Sequence, residues 1–294
     1  MNEIALRQGT IRYLDLGDGP TVLFVHGLFV DHELWSPVVD HLCQSHRCIA
    51  PDWPLGSHTQ PMHADADLSP AGMAQLVADF IRALELEDVT LVGNDSGGVI
   101  CQLVAADHGH RIARLVLTNC DALEVFPPPG YEYLSWLPRI PGATYLASQA
   151  MYRIRAIRHG KTAFGSLTKR PLDDALVKKW VTPAAKNAAI RRDSGKFARC
   201  ASSSISLAVA DRLSGFTGPA LLLWGEDDPF FTIDLAARLV DRFADARLEP
   251  VSDATVFSPL DQPERMAAGI ASFATSAPRM DSKPSESAAT GSPG

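Results

Sequence analysis

The chain has 294 residues, 46% hydrophobic and 21% charged, which suits one large globular domain, or one domain carrying an insertion, that buries a sizeable core. A collagen, a coiled coil and a disulfide-stapled peptide are excluded. The 34 Asp+Glu against 27 Lys+Arg leave a formal charge of -7, which repels phosphate backbones and anionic lipid, so neither nucleic acid nor a membrane is an expected partner.

Residues 10–16 and 21–25 read as strands, the second an uninterrupted apolar run of the kind buried on both sheet faces. Ile49 closes another short strand. Ser69-Pro70 starts a helix with a capping side chain and a first-turn proline, and Met73, Leu76, Val77, Phe80, Ile81 and Leu84 follow as one apolar stripe. Residues 89–92 form a short strand, 93–98 a tight turn, 99–107 a helix and 114–118 a strand. Between 123 and 212 the texture changes to prolines, tyrosines and a basic stretch without strand alternation, and we read a helical insertion there. The alternation resumes with a strand at 220–224, a helix at 233–243, a strand at 247–251 and a helix at 262–273. Such a rhythm predicts a mainly parallel sheet with helices on both faces. The Ser-, Pro- and Gly-rich residues 277–294 are expected to be a disordered tail.

The chemistry concentrates at the third corner, Gly93-Asn94-Asp95-Ser96-Gly97-Gly98, where a buried strand runs directly into a helix. Small residues flanking such a corner let strand and helix approach closely and expose the central side chain. With Gly93 and Gly97 as flanks the central residue is Asp95, whose charged form is favoured by the N–H groups opening the helix. The other register centres the corner on Ser96, between Asn94 and Gly98. A glycine-rich turn of this kind also holds phosphate, but neither GxGxxG nor GKS/T follows. Upstream, a buried strand ends in His26-Gly27-Leu28-Phe29; downstream, another runs into Gly225-Glu226-Asp227-Asp228-Pro229.

Taken together, these three segments resemble the α/β-hydrolase superfamily from about residue 11 to residue 273. The resemblance implies a doubly wound, mainly parallel sheet of the eight-stranded type, with a core of residues 1–122 and 213–276 and a helical cap of residues 123–212. It implies catalytic roles for Asp95 and Asp228 and the amides of Leu28 and Ser96 as oxyanion donors; Phe29 is placed in the substrate pocket, and Tyr131 and Trp136 either wall it or pack the cap. No cofactor and no metal are expected, and the partner is a small, largely apolar organic substrate. An Asp at the corner is similar to the branch of haloalkane dehalogenases and epoxide hydrolases. There the carboxylate attacks an sp³ carbon and a His-activated water cleaves the resulting ester.

The chain departs from that pattern at identifiable positions. Ser96 and Leu28 stand where dehalogenases carry the Trp and Asn that cradle the halide, and Val30 replaces the proline of epoxide hydrolases. Tyr131, Tyr133, Tyr145 and Tyr152 are candidate phenols for protonating an opening oxygen. Val256, within residues 253–264, occupies the position of the catalytic His, and no histidine follows His159.

Three readings therefore stand beside one another: a base borrowed from His58, a non-hydrolytic lyase or cyclase using Asp95 as base, or a catalytically silent small-molecule binding protein. In the second reading, repulsion from Asp228 raises a carboxyl pKa. Asp121, ending the strand at 114–118 and its extension, is either a second acid or a capping residue. His26 is read as a structural residue of its loop, and Arg153, Arg155, Arg158 and Lys161 as a solvated face or a steering field for an anionic substrate.

The five cysteines form no CxxC pair and suggest buried free thiols in a reducing compartment. The N-terminal stretch has neither a basic region nor an apolar one, so the expected location is the cytoplasm.

Overall fold

The computed structural model describes residues 1–275; the tail expected at 277–294 lies outside them. Strands β1 (Asn2–Leu6), β2 (Gly9–Leu16) and β3 (Thr21–Val25) lead to helix α1 (Ser36–Leu42), then β4 (Arg47–Pro51), α2 (Pro70–Ala83), β5 (Val89–Asp95), α3 (Ser96–His108) and β6 (Ile112–Cys120). Six helices follow before the next strand: α4 (Tyr133–Trp136), α5 (Ala143–Arg153), α6 (Arg155–Arg158), α7 (Asp174–Lys186), α8 (Ala188–Ala198) and α9 (Ser203–Ala210). The chain then forms β7 (Ala220–Gly225), α10 (Ile233–Val240), β8 (Ala246–Val251), α11 (Ser258–Asp261) and α12 (Pro263–Ala274).

The eight strands make one sheet in the order β1-β2-β4-β3-β5-β6-β7-β8. Pairings of β1 with β2 and of β2 with β4 are antiparallel and all others parallel. Nearly every residue of β3, β5 and β7 is buried, because helices cover both faces of the parallel region. The opening of α2 follows its sequence signal, with the Ser69 hydroxyl accepting the Gly72 N–H at 3.1 Å and Pro70 in the first turn. Helix α3 buries ten consecutive residues, Ser96 to Ala105, as a helix enclosed on all sides must.

Three local features differ from the sequence reading. The edge strand β1 is largely exposed and alternates weakly, so it forms through its ladder with β2 more than through a pattern of its own. The helix expected at 233–243 stops at Val240. Of the five free cysteines, Cys48, Cys101 and Cys120 are buried, whereas Cys43 and Cys200 are half-buried. Among the described residues no helix is long and apolar enough to cross a membrane.

Candidate active site

Strand β5 continues to Asp95 and α3 begins at the next residue, a sharper corner than a turn spread over 93–98. Asp95 takes φ 52° and ψ -132°, a backbone conformation that costs a non-glycine residue on the order of 1–3 kcal/mol. The surroundings enforce it. A Cβ on Gly97 would overlap the Val25 carbonyl oxygen, and one on Gly93 would lie 2.7 Å from Cys101 Sγ. Gly27 is the third necessary glycine, since the Asp95 carboxylate occupies the space a side chain there would need.

The carboxylate so projected accepts hydrogen bonds from the Ser96 and Leu28 backbone N–H groups. Burial pushes its pKa up to about 7; the Ser96 amide holds the rise back, the charge of Asp228 adds to it, and the Leu28 amide again opposes it. Two other acids share this edge of the sheet. Asp228, just beyond β7, accepts the Phe230 and Phe231 N–H groups on Oδ1 at 2.8 and 3.0 Å and Asn119 Nδ2 on Oδ2 at 2.8 Å. Burial raises it to about 6 despite those donors, with Asp261 adding to the rise.

Asp121 follows β6, whose Cys120 stands opposite Asp95 in the ladder, and its N–H donates to the Asp95 carbonyl at 3.3 Å. Its carboxyl is hydrogen-bonded to the Ser96 side chain, while Oδ1 has no partner among the described residues. Burial and the neighbouring Asp95 charge hold this acid well above the usual carboxylate range.

Asp95, Ser96 and Asp121 open onto a cavity of about 160 Å³ whose walls are otherwise mostly apolar, including Phe126, Phe164 and Val181. Apolar protein cavities of that size accept benzene-sized guests. Leu28, Phe29, Tyr131 and Val256 line it, and among the described residues Arg191 is the one cation in its walls. Trp136 does not: it is 50% exposed, and the neighbouring Leu134 and Leu137 take the wall.

No histidine lines the cavity among the described residues. His58 is buried elsewhere, its Nδ1 accepting the Gly56 N–H at 3.3 Å and its Nε2 lying 3.4 Å from Asp193, which removes it as a borrowed base. His26 accepts the Trp53 N–H on Nε2 at 2.9 Å and places Nδ1 2.8 Å from the Gly27 carbonyl, and burial lowers its pKa to about 4, so it is a neutral brace for its loop. The side chain of Val256 stands at the cavity wall, and its carbonyl accepts Asn94 Nδ2 at 2.7 Å.

Of the four candidate tyrosines, the two that line the cavity have their hydroxyls engaged. Tyr131 and Tyr133 donate to the carbonyls of Ala163 and Thr162 at 2.7 and 2.8 Å, and Tyr145 is exposed. In the basic stretch, Arg158 is buried and ion-paired with Asp174 at 2.5 Å, so that part of the face is not solvated.

Asn119 is a residue that the sequence alone does not single out. It binds both the Gly225 backbone and Asp228, tying the end of β6 to the turn after β7, and a polar residue ending a buried strand opposite an acidic turn is the signal that finds it. Away from the cavity, Asp31, His32 and Asp52 bring ligand-type atoms within 4.8 Å of one another. All three side chains are already engaged: His32 Nδ1 lies 2.7 Å from Asp52 Oδ1, and Asp31 Oδ1 accepts Trp180 Nε1 at 2.8 Å.

Comparison with known proteins agrees with this architecture. A family model described as alpha/beta hydrolase fold matches residues 20–263. The chain is 25% identical over 276 residues to epoxide hydrolase 2 of Caenorhabditis elegans, covering 89% of this chain and 76% of that protein. It is 26% identical over 271 residues to haloalkane dehalogenase 2 of Mycobacterium bovis, with 90% and 91% covered. A solved structure of an epoxide hydrolase without ligand superposes with a TM-score of 0.77 at 17% identity, over 92% of this chain and 97% of that one, a likeness of fold.

Proposed function

The chain belongs to the α/β-hydrolase fold family, and from that premise we propose that it is a hydrolase-type enzyme in which Asp95 is the nucleophile toward a compact, largely apolar organic electrophile. The observation that carries this reading is the Asp95 carboxylate itself, held in a strained corner at the floor of an apolar cavity and gripped by two backbone amides. An oxygen of that carboxylate forms the bond to carbon as the leaving group departs. The Leu28 and Ser96 amides then face the oxygen that becomes negative when water adds to the ester carbon. Asp228, fully hydrogen-bonded and absent from the cavity wall, acts on Asp95 through its charge. The helices between β6 and β7 serve as the cap that roofs the cavity and selects the substrate. Epoxides, alkyl halides and esters are the candidate classes, the first two also being those named for relatives.

Incubation with panels of the three electrophile classes, followed by intact-mass measurement and peptide mapping, tests the reading. A covalent adduct on Asp95 that is abolished in Asp95→Asn supports it. Adducts that persist in that variant, or none in the wild-type chain, refute it.

A pKa of about 7 favours one second reading, in which Asp95 shuttles a proton in a non-hydrolytic lyase or cyclase reaction, because a group titrating near working pH is an efficient base. Solvent-deuterium incorporation into recovered substrate without any protein adduct distinguishes it.

A further inference from the structure

If Asp95 forms an ester, something must activate the water that cleaves it, and the cavity offers few groups. Histidine is absent from its walls among the described residues, and both wall tyrosines donate their protons to main-chain carbonyls. Asp228 has both oxygens occupied by three N–H donors and does not line the cavity. Arg191 carries a permanent charge and donates to the Ala184 carbonyl at 2.7 Å. Asp121 remains. It is 1% exposed, lines the same cavity as Asp95, follows the residue paired with Asp95 across the β5–β6 ladder, and keeps Oδ1 unpartnered.

We propose that Asp121 works with Asp95 first as an acid and then as a base, taking the place of the absent imidazole for substrates whose leaving atom is an oxygen. This rests on Asp95 being the nucleophile. In the first step an Asp95 oxygen bonds to an epoxide carbon, the C–O bond breaks toward oxygen, and that oxygen takes the Asp121 proton. A hydroxyalkyl ester and an Asp121 carboxylate result. In the second step the carboxylate takes a proton from water as the water oxygen adds to Asp95 Cγ. The tetrahedral intermediate expels the alkoxide, which takes the proton of the added hydroxyl. Asp95 returns as carboxylate, Asp121 as acid, and a diol leaves. The alternation of one carboxyl between acid and base has a precedent in retaining glycoside hydrolysis.

The scheme separates two substrate classes. A departing bromide takes no proton, so Asp121 stays protonated, cannot accept one from water, and the ester persists. An unpartnered carboxyl oxygen at a cavity whose walls, among the described residues, include neither Trp nor Asn thus fits an epoxide better than an alkyl halide.

Styrene oxide and phenethyl bromide, supplied to the full-length chain in heavy-oxygen water, test this. With the wild type, styrene oxide should give diol over many turnovers and place heavy oxygen in Asp95, while phenethyl bromide should label Asp95 once and stay. In Asp121→Asn, bromide labelling should remain within about twofold, which also reports that the site is folded, whereas diol formation should fall by about a hundredfold or more. Diol formation at the wild-type rate in Asp121→Asn, or wild-type release of the bromide-derived ester as fast as the epoxide-derived one, overturns the role of Asp121 and leaves the nucleophile standing. Absence of any Asp95 adduct or heavy-oxygen incorporation overturns both.

Discussion

Replacing Asp95 by Asn should make the protein more stable, and by an amount that depends on pH. The folded chain raises this carboxyl from 3.8 to about 7, so it ionises more readily when unfolded. A raised acid of this kind destabilises the fold progressively as pH climbs through the interval between the two values, and the penalty is complete above the higher one. Roughly three pKa units at about 1.4 kcal/mol each give a cost of about 4 kcal/mol at pH 8, of which about 2 kcal/mol is already present at pH 5. Asn keeps an oxygen for the Ser96 and Leu28 amides but carries no charge, so it relieves that cost, less whatever those two donors gain from a charged acceptor. Urea unfolding of both chains at pH 5 and pH 8 measures the difference, and at about 2 °C per kcal/mol for a domain of this size the melting temperature at pH 8 should rise by up to about 8 °C. An equal gain at both pH values, or a loss at pH 8, would refute the assignment of a buried, raised carboxyl to Asp95.

Labelling of Asp95 by phenethyl bromide should follow its ionised form, rising about tenfold from pH 6 to pH 8 with a midpoint near 7, and Asp228→Asn should move the midpoint to lower pH by removing a neighbouring negative charge; Asp121 is the other acid facing this carboxylate, and a flat profile by intact mass would contradict the scheme. Gly97→Ala places a Cβ against the Val25 and His26 carbonyl oxygens and should cost on the order of 1–3 kcal/mol in urea unfolding and abolish labelling, since the corner must open. Val256→His puts an imidazole at the cavity wall and should release the bromide-derived ester that persists in the wild-type chain, accelerating release by a factor on the order of a hundred or more in a chase by intact mass.

The parallel core was legible because its signals are local and redundant. A run such as Val22 to Val25 has one stable destination, a strand covered on both faces, and Ser69-Pro70 ahead of an apolar stripe has one meaning as well. Asp95 was legible for a related reason: glycines at 93 and 97 between a buried strand and a helix leave little else that the intervening residue can do. What did not show was anything decided by contacts between distant segments. Trp136 looks like a pocket wall by composition, but the wall is chosen by packing, and the two half-buried leucines beside it, Leu134 and Leu137, face the cavity instead. His58 lies on a loop that reaches the right edge of the sheet, yet a buried Asp193 from α8 lies 3.4 Å from its Nε2. No local pattern announces a partner 135 residues away.

Contacts between distant segments also couple the three acids at this sheet edge. An imidazole beside Asp228 would give that buried acid a cation to pair with and would lower its pKa. Asp228 relies instead on three neutral N–H donors, which do not offset its burial, and it rises to about 6. Whatever charge it keeps then acts on Asp95, where burial already opposes ionisation, and the charge of Asp95 in turn raises Asp121. Three carboxyls at one sheet edge without an adjacent base cannot all be ionised near neutral pH, so at least one holds a proton. Of these acids, the one with an oxygen that has no partner among the described residues and that lines the cavity is Asp121, which is why the proposed proton relay runs through it.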